Sequence, residues 1–313
     1  MAVPPAVAQH AASRQRHRRK GKSRLNGPRF VIFEVSTVGW TATLGLIGAL
    51  IAFDLWHSRR SPHAIALREA AGWSAFYVGI ALLFGVTLAK IAGWDVGAQY
   101  FAGYVVEKSL SLDNLFVFVV IMATFAVPAE QRARLLMIGI VGALLLRAAL
   151  IAVGAAMLDA FSFTYLLFGM ALMATAVQLF RHRDHDPAVD DNPLIAAARR
   201  RGLPPTLLAL VAIATTDILF ALDSIPAVFG VTDHAYIVFV ANAFALLGLR
   251  ALFFLVSGLL DRLVYLSTGL ATILGLIGVK LVLHFAHGRN DAVPEISTEV
   301  SLVVIAACSP QSP

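Results

Sequence analysis

The sequence predicts an all-α polytopic membrane protein of about eight transmembrane helices, built as an inverted 3+3 repeat with a truncated ninth segment. Three observations point there. Hydrophobic residues make up 58% of the 313 and charged residues 14%, with a mean hydropathy of +0.77; a soluble domain carries about 45–50% and about 25%. Eight apolar stretches reach the roughly 20 residues that a helical span needs. Acidic residues recur in the same order inside two of those stretches. This composition excludes a soluble enzyme, a disordered chain and a coiled coil. A transmembrane barrel is excluded as well, since alternating apolar and polar residues are missing.

Residues 1–30 hold eight basic residues (Arg14, Arg16, Arg18, Arg19, Lys20, Lys22, Arg24, Arg29) and no acid. The hydrophobic stretch behind them is far longer than a signal h-region and no small-residue cleavage site follows, so this is a basic disordered tail and not a secretory signal. Spans are predicted at 31–56, 70–91, 99–127, 135–158, 161–180, 206–230, 236–259 and 263–285, making 31–285 a transmembrane helical domain. Small residues recur inside them, as helix packing in lipid favours. The C-terminal tail, 286–313, contains VSLVVIAA at 300–307, the remnant of a last helix and too short to cross.

The net charge of +6 and pI of 9.8 would suggest a nucleic-acid partner in a soluble protein. Here the tail holds eight of the 25 basic residues, so the other 283 residues net −2 and no nucleic-acid partner is expected. Alternate loops carry Arg59, Arg60, Arg68, Arg132, Arg134, Arg181, Arg183, Arg199, Arg200, Arg201 and Arg262, and the opposite set only Arg289. By the positive-inside rule this places the N-terminus outside, against the pull of the basic tail. The one cysteine, Cys308, allows no internal disulfide and no Cys-rich metal centre. His182 and His185 read as residues of a solvated loop.

Charge at membrane depth costs about 2.5–3.5 kcal/mol per residue on insertion scales and usually marks a pathway. Nine such residues occur: Asp54, Glu107, Lys108, Asp113, Arg147, Asp217, Asp223, Arg250 and Lys280. The third segment reads VEKSLSLDNLFVFVV and the sixth TDILFALDSIPAVFG, both acid, five residues, Asp, small polar residue. LLLRA and LGLRA follow in the fourth and seventh segments, with Arg147 and Arg250. Copies offset by three segments cross the membrane in opposite senses, as in transporters whose sites lie at the midplane between inverted repeats. Glu107, Asp113, Asn114, Asp217, Asp223 and Ser224 thus form an all-oxygen candidate set for a hard divalent cation. Residues six apart lie about 240° apart on a helix, so convergence of each acidic pair needs a bend, which Pro226 offers in the sixth segment. Arg147, Arg250, Lys108 and Lys280 are read as structural ion-pair partners. Asp54 stands open between the two roles, and Asn242 is a further oxygen donor or a helix–helix hydrogen bond.

EKSLSLDNLFVFVVI at 107–121, FALDSIPAVFGVT at 220–232 and ANAFALLGLRALFFL at 241–255 resemble signature blocks of the TerC family, as do FDLWHSRR at 53–60 and ALREAAGWSAFYVGIALLFG at 66–85. The resemblance runs from about residue 35 to 305. TerC proteins are integral membrane proteins of bacteria and plastids, named for tellurite resistance, that include Alx-type manganese exporters and are grouped with the lysine-exporter superfamily. The resemblance implies a cation path through Glu107, Asp113, Asn114, Asp217, Asp223 and Ser224. Two departures stand out: Ala214 occupies a position where many members carry an acid, and the last helix after VPEISTEVSLVVI is missing.

The function expected is export of a divalent cation, Mn²⁺, from a bacterial cell across its plasma membrane, with protons taken up by the same carboxylates. Neither enzyme activity nor a resident cofactor is expected, and the partners implied are the lipid bilayer and the transported cation. The competing expectation is a membrane scaffold for a tellurite or metal stress response, in which the loop at 181–205 matters more than the buried acids. Residues 1–30 are expected to lie upstream of the native start, near Val31 or Val35. Mass spectrometry of the cellular protein should therefore find no peptides from residues 2–29; finding them overturns this.

Overall fold

A computed structural model describes residues 35–60, 67–181, 195, 199–257, 266–290 and 293–294. The basic tail, His182 and His185, the remnant at 300–307 and Cys308 lie outside these. The described chain forms nine helices: α1 (Thr37–Arg60), α2 (Leu67–Ala92), α3 (Trp94–Thr124), α4 (Ala129–Ala160), α5 (Phe163–Arg181), α6 (Pro205–Phe229), α7 (Ala235–Leu246), α8 (Leu249–Ser257) and α9 (Leu266–His287). No strand occurs among the described residues. Five helices are long and apolar enough to cross a bilayer, and the bent pair α7–α8 makes a sixth. At 31 residues α3 has the length, but it carries Asp95, Glu107, Lys108 and Asp113. In α9 the apolar stretch Ala271–His287 is shorter. Proline marks two starts: Pro128 precedes α4, and Pro204 and Pro205 open α6, where an amide hydrogen would lack an acceptor anyway.

One predicted span is corrected. The stretch 236–259 is not a single helix, because it breaks at Leu247–Gly248 into α7 and α8, which meet at 43°. Gly248 has φ +78°, and a Cβ there would lie 2.7 Å from Cδ2 of the Tyr77 ring, so glycine is required on both counts. A break within the bilayer strands carbonyls that water cannot reach. Lys108 answers part of this, its Nζ donating to the carbonyl of Ala245 at 3.1 Å.

The packing shows the repeat. α3 packs on α7 as α6 packs on α4, while α3 with α6, α4 with α7 and α5 with α9 also pair. Exchanging α3–α5 for α6–α9 maps each of these neighbours onto another in the same set. The α5–α9 contact is reciprocal at residue level. A Cβ on Gly169 would meet the carbonyl oxygen of Gly278 at 2.9 Å, and one on Gly278 would meet that of Gly169 at 3.0 Å. These glycines are 109 residues apart, within one residue of the spacing between Glu107 and Asp217.

Two apolar clusters divide the interior. The first gathers Leu115–Phe125 side chains with Leu135, Leu136, Ile140, Leu208, Ala212, Ile213, Leu249 and Phe253, at the end bearing the Arg-rich loops. The second gathers Val106, Leu110, Ile151, Leu158, Leu172, Ile225, Phe229, Ile273 and Ile277. On α3, α4, α6 and α7 the residues between the clusters include Ser111, Asn114, Arg147, Asp217 and Asn242, and Glu107 stands one turn before Ser111, beside Val106 and Leu110 of the second cluster; all six are buried. Asp217 is the central residue of α6, and Glu107 and Arg147 lie within a turn of the centres of α3 and α4. The bundle therefore carries a polar layer at mid-depth with an apolar seal on either side.

Replacing Gly169 or Gly278 with Leu forces α5 and α9 apart, an overpacking that costs about 1–3 kcal/mol or more. Both variants should melt well below the parent in detergent; a parental melting temperature would contradict the crossing.

Candidate functional site

The layer follows from helical spacing. Glu107, Ser111 and Asn114 stand at i, i+4 and i+7 on α3, and Asp217 and Ser224 at i and i+7 on α6, so each set shares one face. Arg147 reaches between the two faces from α4 and has no exposed surface. Its Nη1 donates to Glu107 Oε1, and its Nη2 reaches Asp217 Oδ1 at 3.5 Å. With the Asn114 amide oriented by its hydrogen bonds, its oxygen accepts from Arg147 Nη2 at 3.1 Å and its nitrogen donates to the Leu110 carbonyl at 3.0 Å. The first acid of each repeat thus meets the same guanidinium.

The network is incomplete. Among the described residues, Glu107 Oε2, Ser111 Oγ, Arg147 Nε, Asp217 Oδ2, Ser224 Oγ and both polar atoms of Asn242 are buried without a hydrogen-bond partner. Native interiors leave few such atoms. Among the described residues two carboxylates thus face one guanidinium.

The second acid of each pair lies elsewhere. Asp223 is half-buried, and its Oδ1 accepts from Thr175 Oγ1 of α5 at 2.9 Å. α6 runs unbroken through both acids, with Pro226 in its last turn, so the 240° separation is kept and Asp217 and Asp223 do not converge. Asp113 falls on α3, but its side chain lies outside the described residues. Among the described residues no group of three or more His, Cys, Asp or Glu is set to hold a metal ion.

The remaining charges anchor helices. Arg250, at the start of α8, donates through Nε at 3.2 Å and Nη2 at 2.8 Å to Asp54 Oδ1 on α1, with both side chains largely buried. Asp54 is thus the counter-ion of the second repeat's arginine. Lys108 serves the α7 end, and Lys280 is half-buried on α9. Sequence reasoning passed over Thr175 and Ser111. Ser111 stands one turn from Glu107, a signal that was available; Thr175 comes close to Asp223 only through the packing of α5 on α6.

A sequence profile described as the integral membrane protein TerC family matches residues 92–311. The chain belongs to the TerC family. An uncharacterized membrane protein of Mycobacterium tuberculosis is 42% identical over 299 residues, covering 85% of this chain and 75% of its own length. Another of Myxococcus xanthus is 39% identical over 287 residues, covering 85% and 88%. The Escherichia coli protein named "Putative membrane-bound redox modulator Alx" is 34% identical over 287 residues, covering 81% and 89%. No solved structure matches. This TerC protein is therefore a multi-pass membrane protein with its first acids gathered at mid-depth.

Breaking a buried ion pair by removing one partner costs about 3–5 kcal/mol, because the other charge stays buried and alone. Arg250→Gln should lower the melting temperature sharply. Combined with Asp54→Asn, most of the loss should return. A double variant as unstable as the single one would show that Asp54 is not the partner that matters.

Proposed function

We propose that this TerC protein exports a divalent cation, Mn²⁺, across the plasma membrane of a bacterium by alternating access. One observation carries the reading: a mid-depth layer that, among the described residues, sets two carboxylates against one guanidinium and holds unpartnered oxygens on Glu107, Ser111, Asp217, Ser224 and Asn242. An uncompensated buried charge needs a cation or a proton. A set made only of oxygens suits a hard divalent ion more than a soft one. Opening the seal at either end would expose the layer to one side of the membrane at a time, which inverted repeats accomplish by exchanging their packing.

The choice of manganese comes from the family resemblance, and Asp113 and Asp223 would hand the ion between the layer and the two mouths. Protons taken up by the same carboxylates would balance the charge on the return step. The redox name of the Escherichia coli relative bears on this chain only indirectly. With one cysteine, Cys308, it has no thiol pair to exchange, so a redox effect would run through the metal it moves.

Whole-cell elemental analysis tests this. Expressing the chain should lower cellular manganese several-fold, and Asp113→Asn and Asp223→Asn, at equal expression, should abolish both that fall and the rescue of a manganese-sensitive exporter mutant. Unchanged manganese refutes export. If both variants still rescue, the carboxylate path is wrong. Loss of function on deleting 181–205 while efflux persists would favour the scaffold.

A further inference from the structure

The layer contains a cation already, and its position is informative. Arg147 is fully buried and lies between the equivalent acids of the two repeats, where a transported ion bound by both would also have to lie. An arginine serving only as a strut would be expected to use its donors fully and to satisfy the carboxylates it holds. Here, among the described residues, Nε is unused, Glu107 and Asp217 each keep one oxygen unpartnered, and the Asp217 contact is long at 3.5 Å. The arginine of the matching LGLRA motif behaves differently, for Arg250 holds the carboxylate of Asp54 through two of its nitrogens.

Resting on the export reading, we propose that Arg147 is a tethered counter-ion that takes the substrate's place: its ion pairs to Glu107 and Asp217 and the binding of a divalent cation there are mutually exclusive. The charges support exchange over coexistence. Two carboxylates neutralise one dication, whereas a dication beside the guanidinium would face a like charge across a few ångströms of low dielectric. Withdrawal of Arg147 makes room for the ion; its return displaces the ion and restores the occupied layer without an empty, doubly charged intermediate. Arg147 acts on transport through Glu107 and Asp217 and is a positioning residue in this scheme.

The test compares Mn²⁺ binding to the purified full chain and to Arg147→Gln, read as metal-dependent thermal stabilisation and by calorimetry. Removing the competitor should tighten Mn²⁺ binding at least tenfold and enlarge the stabilisation. In vesicles the same variant should show a lower KM with a lower kcat, a split that simple loss of folded protein would not produce. Arg147→Lys keeps the charge but cannot fork between two acids, so it should bind between the two extremes; it decides the matter if Arg147→Gln fails to fold. Binding no tighter than the parent in the folded variant overturns the proposal. The export reading fails separately, when the parent chain moves no Mn²⁺ in vesicles, whatever the binding comparison shows.

Discussion

A guanidinium in the middle of a membrane bundle is stable only where negative charge meets it, and Arg147 is met by Glu107 from one repeat and Asp217 from the other. Much follows from this. α3, α4 and α6 must hold a register that brings the centres of all three together at one depth. Their apolar residues then fall on either side of the charged layer, which is why the interior forms two clusters and not one continuous core. In lipid the helices gain little from hydrophobic contact with each other, since the tails are as apolar as the side chains. Polar contacts and close approach by small residues decide the packing instead, and the Gly169–Gly278 crossing of α5 on α9 is the second such fixed point.

The break in the seventh span is the other departure from a plain helical bundle. Gly248 allows the left-handed turn, Tyr77 fills the space where a side chain would sit, and Lys108 caps the carbonyl of Ala245. Arg250 then fixes the start of α8 to α1 through Asp54. Lys108 follows Glu107 directly in the chain, so the residue that holds the broken helix and the residue that holds Arg147 sit on consecutive positions of α3. Movement of one half of the broken helix therefore bears directly on the charged layer.

Much of this was legible in the sequence, for reasons that can be named. The span positions follow from hydropathy, and the equivalence of Glu107 with Asp217 follows from their matched spacing to the next Asp. The warning that residues six apart face different ways was also legible, and α6 keeps Asp217 and Asp223 apart. The Asp54–Arg250 pair was not legible, because 196 residues separate the partners and no local pattern links them. The hinge was hidden for another reason. FALLGL ahead of Arg250 reads as uninterrupted apolar sequence, and one glycine inside a span is ordinary; only the left-handed turn and the ring of Tyr77, from another helix, make that glycine obligatory.

The chain holds two buried arginines in the matching motifs LLLRA and LGLRA, and they differ in stoichiometry. Arg250 meets one carboxylate through two donors, a balanced pair with little to gain from another ion. Arg147 meets two carboxylates, and each keeps one oxygen without a partner among the described residues. Arg147 has no exposed surface and Arg250 is 4% exposed, so each guanidinium must be met by negative charge. A second acid there adds charge that the fold must neutralise by other means, and it sits at the one depth that both seals close off. A purely structural origin would favour the arrangement seen at Arg250 in both repeats. The asymmetry between the two motif arginines of one chain is therefore the strongest internal argument that the mid-depth layer is built to exchange cations.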